Sequence, residues 1–163
     1  MSRLDSFIRR LEAQRSVLDW AVAGIAGRDG LVLELGLGNG RTYDHLRERL
    51  PDRAIHVFER EAKPNPRSMP PPGFLVLGEM EETLPAFAAS HGRAAVLIHV
   101  DATTGVPERD RVELAWLPGH VAALAAAGAL IVAGSDLEHP ALAPTPLPEG
   151  VPKGRYFAYR RRG

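Results

Sequence analysis

Glu34-Leu35-Gly36-Leu37-Gly38-Asn39-Gly40-Arg41-Thr42 is the stretch on which the fold turns. The apolar run Leu31–Leu35 leads into it and has the character of a strand buried on both faces. Residues 41–50 follow as a helical segment that Pro51 stops. A glycine cluster between a strand and a helix has structural meaning that an isolated one lacks. Glycine permits a tight turn and lets the backbone approach a ligand closely. The unpaired N–H groups at the start of the next helix favour an anionic group.

Outward from this stretch the elements alternate. Residues 2–26 form one amphipathic helix or two, the second opened near residue 15 by a weak capping box of Ser16 and Asp19. Strands are expected at 54–58, 74–77, 94–100 and 129–133. Helices are expected at 79–91, disturbed by Pro85, and at 107–126, split by Pro118 and Gly119. Residues 155–160 alternate and form a C-terminal edge strand. Repeated strand–helix–strand units predict an α/β fold, a doubly wound and mostly parallel sheet with helices on both faces. Residues 60–73 hold five prolines where a crossover helix would normally lie, and residues 140–152 hold five more. Both are expected to be loops.

The glycines stand at 36, 38 and 40, and the position that would complete a dinucleotide fingerprint is Arg41. Glu34, two residues before the first glycine, suits a ligand with an ammonium group and would repel a pyrophosphate. Glu59 ends the second strand, where a carboxylate can accept hydrogen bonds from two ribose hydroxyls. A ligand with an amino acid end and a ribose fits both, at the carboxyl ends of the strands.

With Val57-Phe58-Glu59, this stretch resembles the first two motifs of class I S-adenosylmethionine-dependent methyltransferases. Leu77-Gly78-Glu79 resembles their adenine-binding segment, His99-Val100-Asp101 the acidic end of their fourth strand, and residues 124–132 the approach to their fifth. The resemblance covers roughly residues 30–135 and is similar to a small stand-alone bacterial member. It implies the Rossmann-like methyltransferase fold and S-adenosyl-L-methionine as cofactor. Gly36, Leu37, Gly38 and Gly40 would then wrap the methionine part. Glu34 would hold its amino group through water, and Arg41 and Thr42 would meet its carboxylate. Glu59 would bind the ribose with Arg60 beside the adenine, and Gly78, Glu79 and Met80 would edge that ring. Asp101 would face the methionine end or the acceptor, and it is the first candidate for a catalytic base.

The chain of 163 residues reads as one domain: a helical segment 1–28, a cofactor-binding core 30–135 and a short C-terminal region 136–163. Little length remains for a separate substrate domain. Asp101 is followed by Ala-Thr-Thr-Gly and not by the paired prolines of enzymes that methylate nucleobases or amides. There is no cysteine, which excludes the thiolate route to carbon-5 of pyrimidines. Twenty basic residues balance twenty acidic ones, so capture of nucleic acid by bulk charge is not expected. The tail Arg160–Arg162 reads as a charged strand end. Asp101, Asp136 and His139 lack a recognised ligand spacing, so no metal is expected. No signal peptide or membrane span is legible, which makes a cytoplasmic location the default. The expected partner is a small-molecule acceptor. The missing crossover helix, which would bare part of the sheet, points to a homo-oligomer. The competing readings are a non-catalytic S-adenosylmethionine-binding or regulatory protein and an NAD-dependent oxidoreductase.

Overall fold

The computed structural model describes residues 2–163. The order is α1 (Arg3–Gly24), β1 (Leu31–Leu35), α2 (Arg41–Arg49), β2 (Ile55–Glu59), β3 (Leu75–Leu77), α3 (Met80–His91), β4 (Ala95–Val100), α4 (Pro107–Leu124), β5 (Ala125–Ala133), β6 (Leu142–Pro144) and β7 (Phe157–Arg161). Seven strands form one sheet in the order β3-β2-β1-β4-β5-β7-β6. The first five are parallel, and β7 pairs antiparallel with both β5 and β6. Strand order reverses between β1 and β4, the place where such sheets open a crevice for ligands.

Alternation along the strands divides the core. Leu33, Leu35, Ile98 and Ile131 meet Leu84, Phe87, Leu117 and Val121 of α3 and α4. Val32, Val57, Leu97 and Val132 meet Val17, Leu18, Ala21 and Leu46 of α1 and α2. Two polar side chains, Glu34 and His99, interrupt the second set.

Four local expectations give way to tertiary packing. Helix α1 runs unbroken through residue 15 because Asp19, expected to cap a second helix, instead binds His45 at 2.8 Å and Arg49 at 3.0 Å on α2. Helix α4 passes through Pro118 and Gly119, with Leu117, Pro118, Val121 and Ala122 buried along its length. Strand β5 begins at Ala125, with a register shift between its two ends. The C-terminal strand is not the edge. β6, from the segment expected to be a loop, pairs outside it, and Pro144 there needs no ladder donor on its open side.

Between β2 and β3 the proline-rich segment contains only two short 3-10 turns, Pro66–Ser68 and Pro72–Phe74. It folds back over the glycine loop, where the Asn65 N–H donates to the Asn39 carbonyl at 3.1 Å. Ala62 and Leu75 at its ends pack against the core on the α1 and α2 side.

Gly36 is where β1 meets the end of β4. Its φ is +94°, and a Cβ there would collide with the Asp101 carbonyl. Gly36→Ala is therefore expected to cost about 2 kcal/mol or more in urea unfolding. An unchanged midpoint would contradict this close approach.

Candidate functional site

The glycine loop leaves β1 at Gly36 and closes at Gly40, which caps α2 with φ +86°. A Cβ on Gly40 would lie 2.6 Å from Cβ of Ser68, so the proline-rich segment seals the loop from behind. On the other side a Cβ on Gly38 would meet nothing within 4 Å, so the loop faces open space there.

Glu59 holds that loop. Its Oε2 accepts from the Leu37 N–H at 2.8 Å and the Gly38 N–H at 3.1 Å, while Oε1 accepts from the Arg60 N–H at 2.8 Å. The carboxylate thus lies between two hollows. The larger, about 560 Å³, is lined by Glu59, Arg60, Glu79, Met80, Ala102 and Trp116 among others. The smaller, about 140 Å³, is lined by Arg10, Gln14, the loop from Gly36 to Asn39, Arg41, Thr42 and Asp101. Met80, Val112 and Trp116 give the large hollow an apolar part suited to a flat base, beside the charged Glu81, Glu108, Arg109 and Glu113. Arg10 and Arg41 give the small one positive charge suited to a carboxylate.

The residues singled out in the sequence therefore separate into two groups. Glu59, Arg60, Glu79 and Met80 line the first hollow, and Gly36, Leu37, Gly38, Arg41, Thr42 and Asp101 the second. Gly78 borders neither; it ends β3, and its N–H donates to the Glu59 carbonyl at 3.1 Å. Gly40 acts from behind as the helix cap. The Arg41 guanidinium also lies over the Phe7 ring, 5.9 Å from its centroid.

Glu34 does not border the hollow. It is fully buried, with Oε1 accepting from the Thr42 hydroxyl and Oε2 meeting His99 Nδ1 at 2.6 Å. Parallel pairing places Glu34 directly beside His99. The other ring nitrogen meets the Tyr156 hydroxyl at 3.0 Å. Gln14 Nε2 then donates to that hydroxyl at 2.9 Å and to Asp101 Oδ2 at 3.1 Å. A continuous polar chain thus runs from Thr42 through Glu34, His99, Tyr156 and Gln14 to Asp101. Both of its ends lie in the wall of the small hollow.

Burial disfavours a charged His99, yet the charge and hydrogen bond of Glu34, with the charge of Asp101, outweigh it and move the imidazole above its ordinary value. Burial, reinforced by the charge of Asp101, pushes the Tyr156 phenol upward, so it stays an O–H group. When His99 loses its proton, Nε2 can accept from that hydroxyl, and the contact survives.

Arg10, Gln14, Asn39, Ala102, Trp116 and Tyr156 escaped the sequence reading. Arg10 and Gln14 stand four apart and share a helix face, a signal that was present. What that face covers is decided by the packing of α1.

A family model described as S-adenosyl-L-methionine methyltransferase matches residues 1–161. The crystal structure of an S-adenosyl-L-methionine methyl transferase from Silicibacter pomeroyi DSS-3 superposes with a TM-score of 0.93 at 42% identity, covering 99% of each chain. The MycE methyltransferase of the mycinamycin biosynthetic pathway, in complex with Mg, SAH and mycinamycin VI, superposes at 0.55 with 13% identity over 88% of this chain and 44% of its own. The antibiotic-resistance methyltransferase Kmr superposes at 0.51 with 14% identity, over 91% and 93%. The last two likenesses concern the fold alone. No curated protein matches the chain.

The raised His99 value links to stability with a definite sign. Its contribution is complete below the ordinary histidine value of 6.5 and is lost as pH rises through the higher folded value. Urea unfolding from pH 6 upward should show wild-type stability falling relative to His99→Gln. Parallel pH profiles for the two proteins would refute the assignment.

Proposed function

We propose how the residues of this chain divide the work of methyl transfer, given that it belongs to the S-adenosyl-L-methionine methyltransferase family. The observation that carries the proposal is the Glu59 carboxylate, anchored on the Leu37 and Gly38 amides between a hollow walled in part by Met80 and Trp116 and a smaller one that holds Arg10 and Arg41. A nucleoside joined to an amino acid has that sequence of chemistries.

Bound S-adenosyl-L-methionine supplies an electrophilic methyl group, so the protein's part is mainly to position and to exclude water. In this reading Glu59 accepts from the ribose hydroxyls. Arg60, Glu79 and Met80 edge the adenine, with Gly78 setting the turn that presents them. Gly36, Leu37, Gly38 and Gly40 shape the methionine side, and Arg41 meets the carboxylate with Arg10. Glu34 acts through Thr42 and His99, which set the loop and the start of α2, since both its oxygens are already engaged.

Asp101 lines the small hollow, and the next residue, Ala102, lines the large one. Gln14 fixes its Oδ2. Its Oδ1 faces Gly134, where a Cβ would lie 3.5 Å away, on the β5 side of the crevice. We assign Oδ1 to receiving a proton from an acceptor whose nucleophile must shed one. The acceptor is a small molecule in this proposal, and residues 1–163 work as one unit.

The exposed Leu4, Phe7 and Ile8 on α1 and Leu77 on the outer strand β3 support self-association. No helix among the described residues is long and apolar enough to cross a membrane.

S-adenosylhomocysteine should raise the melting temperature, and NAD should not. By calorimetry Glu59→Ala is expected to weaken S-adenosylhomocysteine by about 1–3 kcal/mol. Unchanged affinity would remove Glu59 from the site. Sedimentation at micromolar concentration should show an assembly, and a monomer would dispose of self-association.

A further inference from the structure

A third hollow, about 580 Å³, lies between the end of β5 and the chain leading into β7. That is the size of a site for a compact small molecule. Pro144, Pro146, Leu147, Pro148, Val151 and Phe157 give it a mostly apolar lining. Its polar features are two phenols, the Thr145 hydroxyl, the exposed Lys153 and one carboxylate, Asp136.

The hollow opens at the sheet end that carries the glycine loop. Ala133 pairs with Phe157, and the Gly134 N–H donates to the Val100 carbonyl at 3.0 Å. The chain therefore passes from the neighbourhood of Asp101 to Asp136 within two residues of Gly134. Tyr156 borders the hollow, and its hydroxyl binds Gln14, which also binds Asp101. Tyr156 in the wall of this hollow is thus hydrogen-bonded to Gln14 in the wall of the small hollow.

Asp136 is oriented as a receptor. Its Oδ1 accepts from the Tyr159 hydroxyl, which in turn accepts from the Leu137 N–H at 2.8 Å. Its other oxygen accepts no hydrogen bond among the described residues. Burial, with the hydrogen bond to Asp136, pushes the Tyr159 phenol upward and keeps it a donor. A carboxylate held by one oxygen at the edge of an apolar hollow leaves the second for a donor on a ligand.

We propose that this hollow is a second small-molecule site beside the cofactor site, and that it takes a ring-shaped, mostly apolar molecule whose hydroxyl donates to Asp136. The proline and aromatic walls suit a flat ring. A carboxylate-bearing ring fits less well, because Asp136 already places a negative charge in the lining, while Lys153 in the same lining is exposed to solvent.

The test uses 4-ethylphenol, its methyl ether 4-ethylanisole and 4-hydroxyphenylacetate as probes on the full chain saturated with S-adenosylhomocysteine. Amide shifts are followed by nuclear magnetic resonance. 4-Ethylphenol should move Thr145, Leu147, Val151 and Phe157 and bind about three- to tenfold more tightly than 4-ethylanisole. 4-Hydroxyphenylacetate should bind more weakly than 4-ethylphenol. Asp136→Asn keeps an acceptor for Tyr159 and should abolish the preference for the phenol over its ether. Leu147→Trp should block all three probes while leaving S-adenosylhomocysteine affinity unchanged. Equal binding of phenol and ether to the wild type, or shifts that avoid residues 144–157, would overturn the pocket while the cofactor reading stands. Failure of S-adenosylhomocysteine itself to bind would overturn the cofactor reading, and the same three probes on the free chain would then decide the pocket.

Discussion

A buried carboxylate beside a buried imidazole organises this molecule. Glu34 and His99 sit side by side on β1 and β4, both without solvent exposure, at the point where strand order reverses. A polar side chain in such a position is costly unless its hydrogen bonds are met. Meeting them recruits four other segments: Thr42 at the start of α2, Gln14 on α1, Tyr156 ahead of β7, and Asp101 beyond β4. Loss of one member of a buried pair leaves the other uncompensated, whereas replacing both with apolar groups can be nearly neutral. That asymmetry makes the pair an organiser of the site more than a source of net stability.

The crevice follows from this arrangement. Gly36 lets the end of β1 lie against the Asp101 backbone, and Glu59 gathers the amides of the next two residues. The proline-rich segment takes the place of a crossover helix and closes the loop from behind, with Ser68 against Gly40. Prolines serve a backing of this kind because their fixed φ lowers the entropy lost on ordering a segment without regular hydrogen bonds. The hollows on either side of Glu59 then differ in character because different elements wall them. Helix α4 brings Trp116 to one, and α1 brings Arg10 to the other.

Most elements were legible in the sequence, and their failures share a cause. Pro118 reads as a helix break, yet its flanking residues bury enough apolar surface to keep α4 continuous. Ser16 and Asp19 read as a cap, yet Asp19 finds His45 and Arg49 on another helix. The final strand reads as an edge because nothing in its composition reveals that residues 142–144 will pair outside it. At the site, Glu59 and the glycines were legible through their positions at strand ends. Glu34 was legible as a residue that matters, though it works through its neighbours. His99 was legible only as part of the strand end His99-Val100-Asp101.

Sequence by itself determined the strand–turn–helix order, the glycine loop and the carboxylate at the end of β2. Periodicity, proline geometry and glycine's access to positive φ are local properties, readable a few residues at a time. Only the tertiary structure decided that Glu34 lies beside His99, that Gln14 and Tyr156 join them to Asp101, and that β7 is an inner strand. Those facts depend on strand register and on which helix face meets which sheet face. Register is set by long-range pairing and by the burial of whole faces, and no short stretch of the chain carries that information.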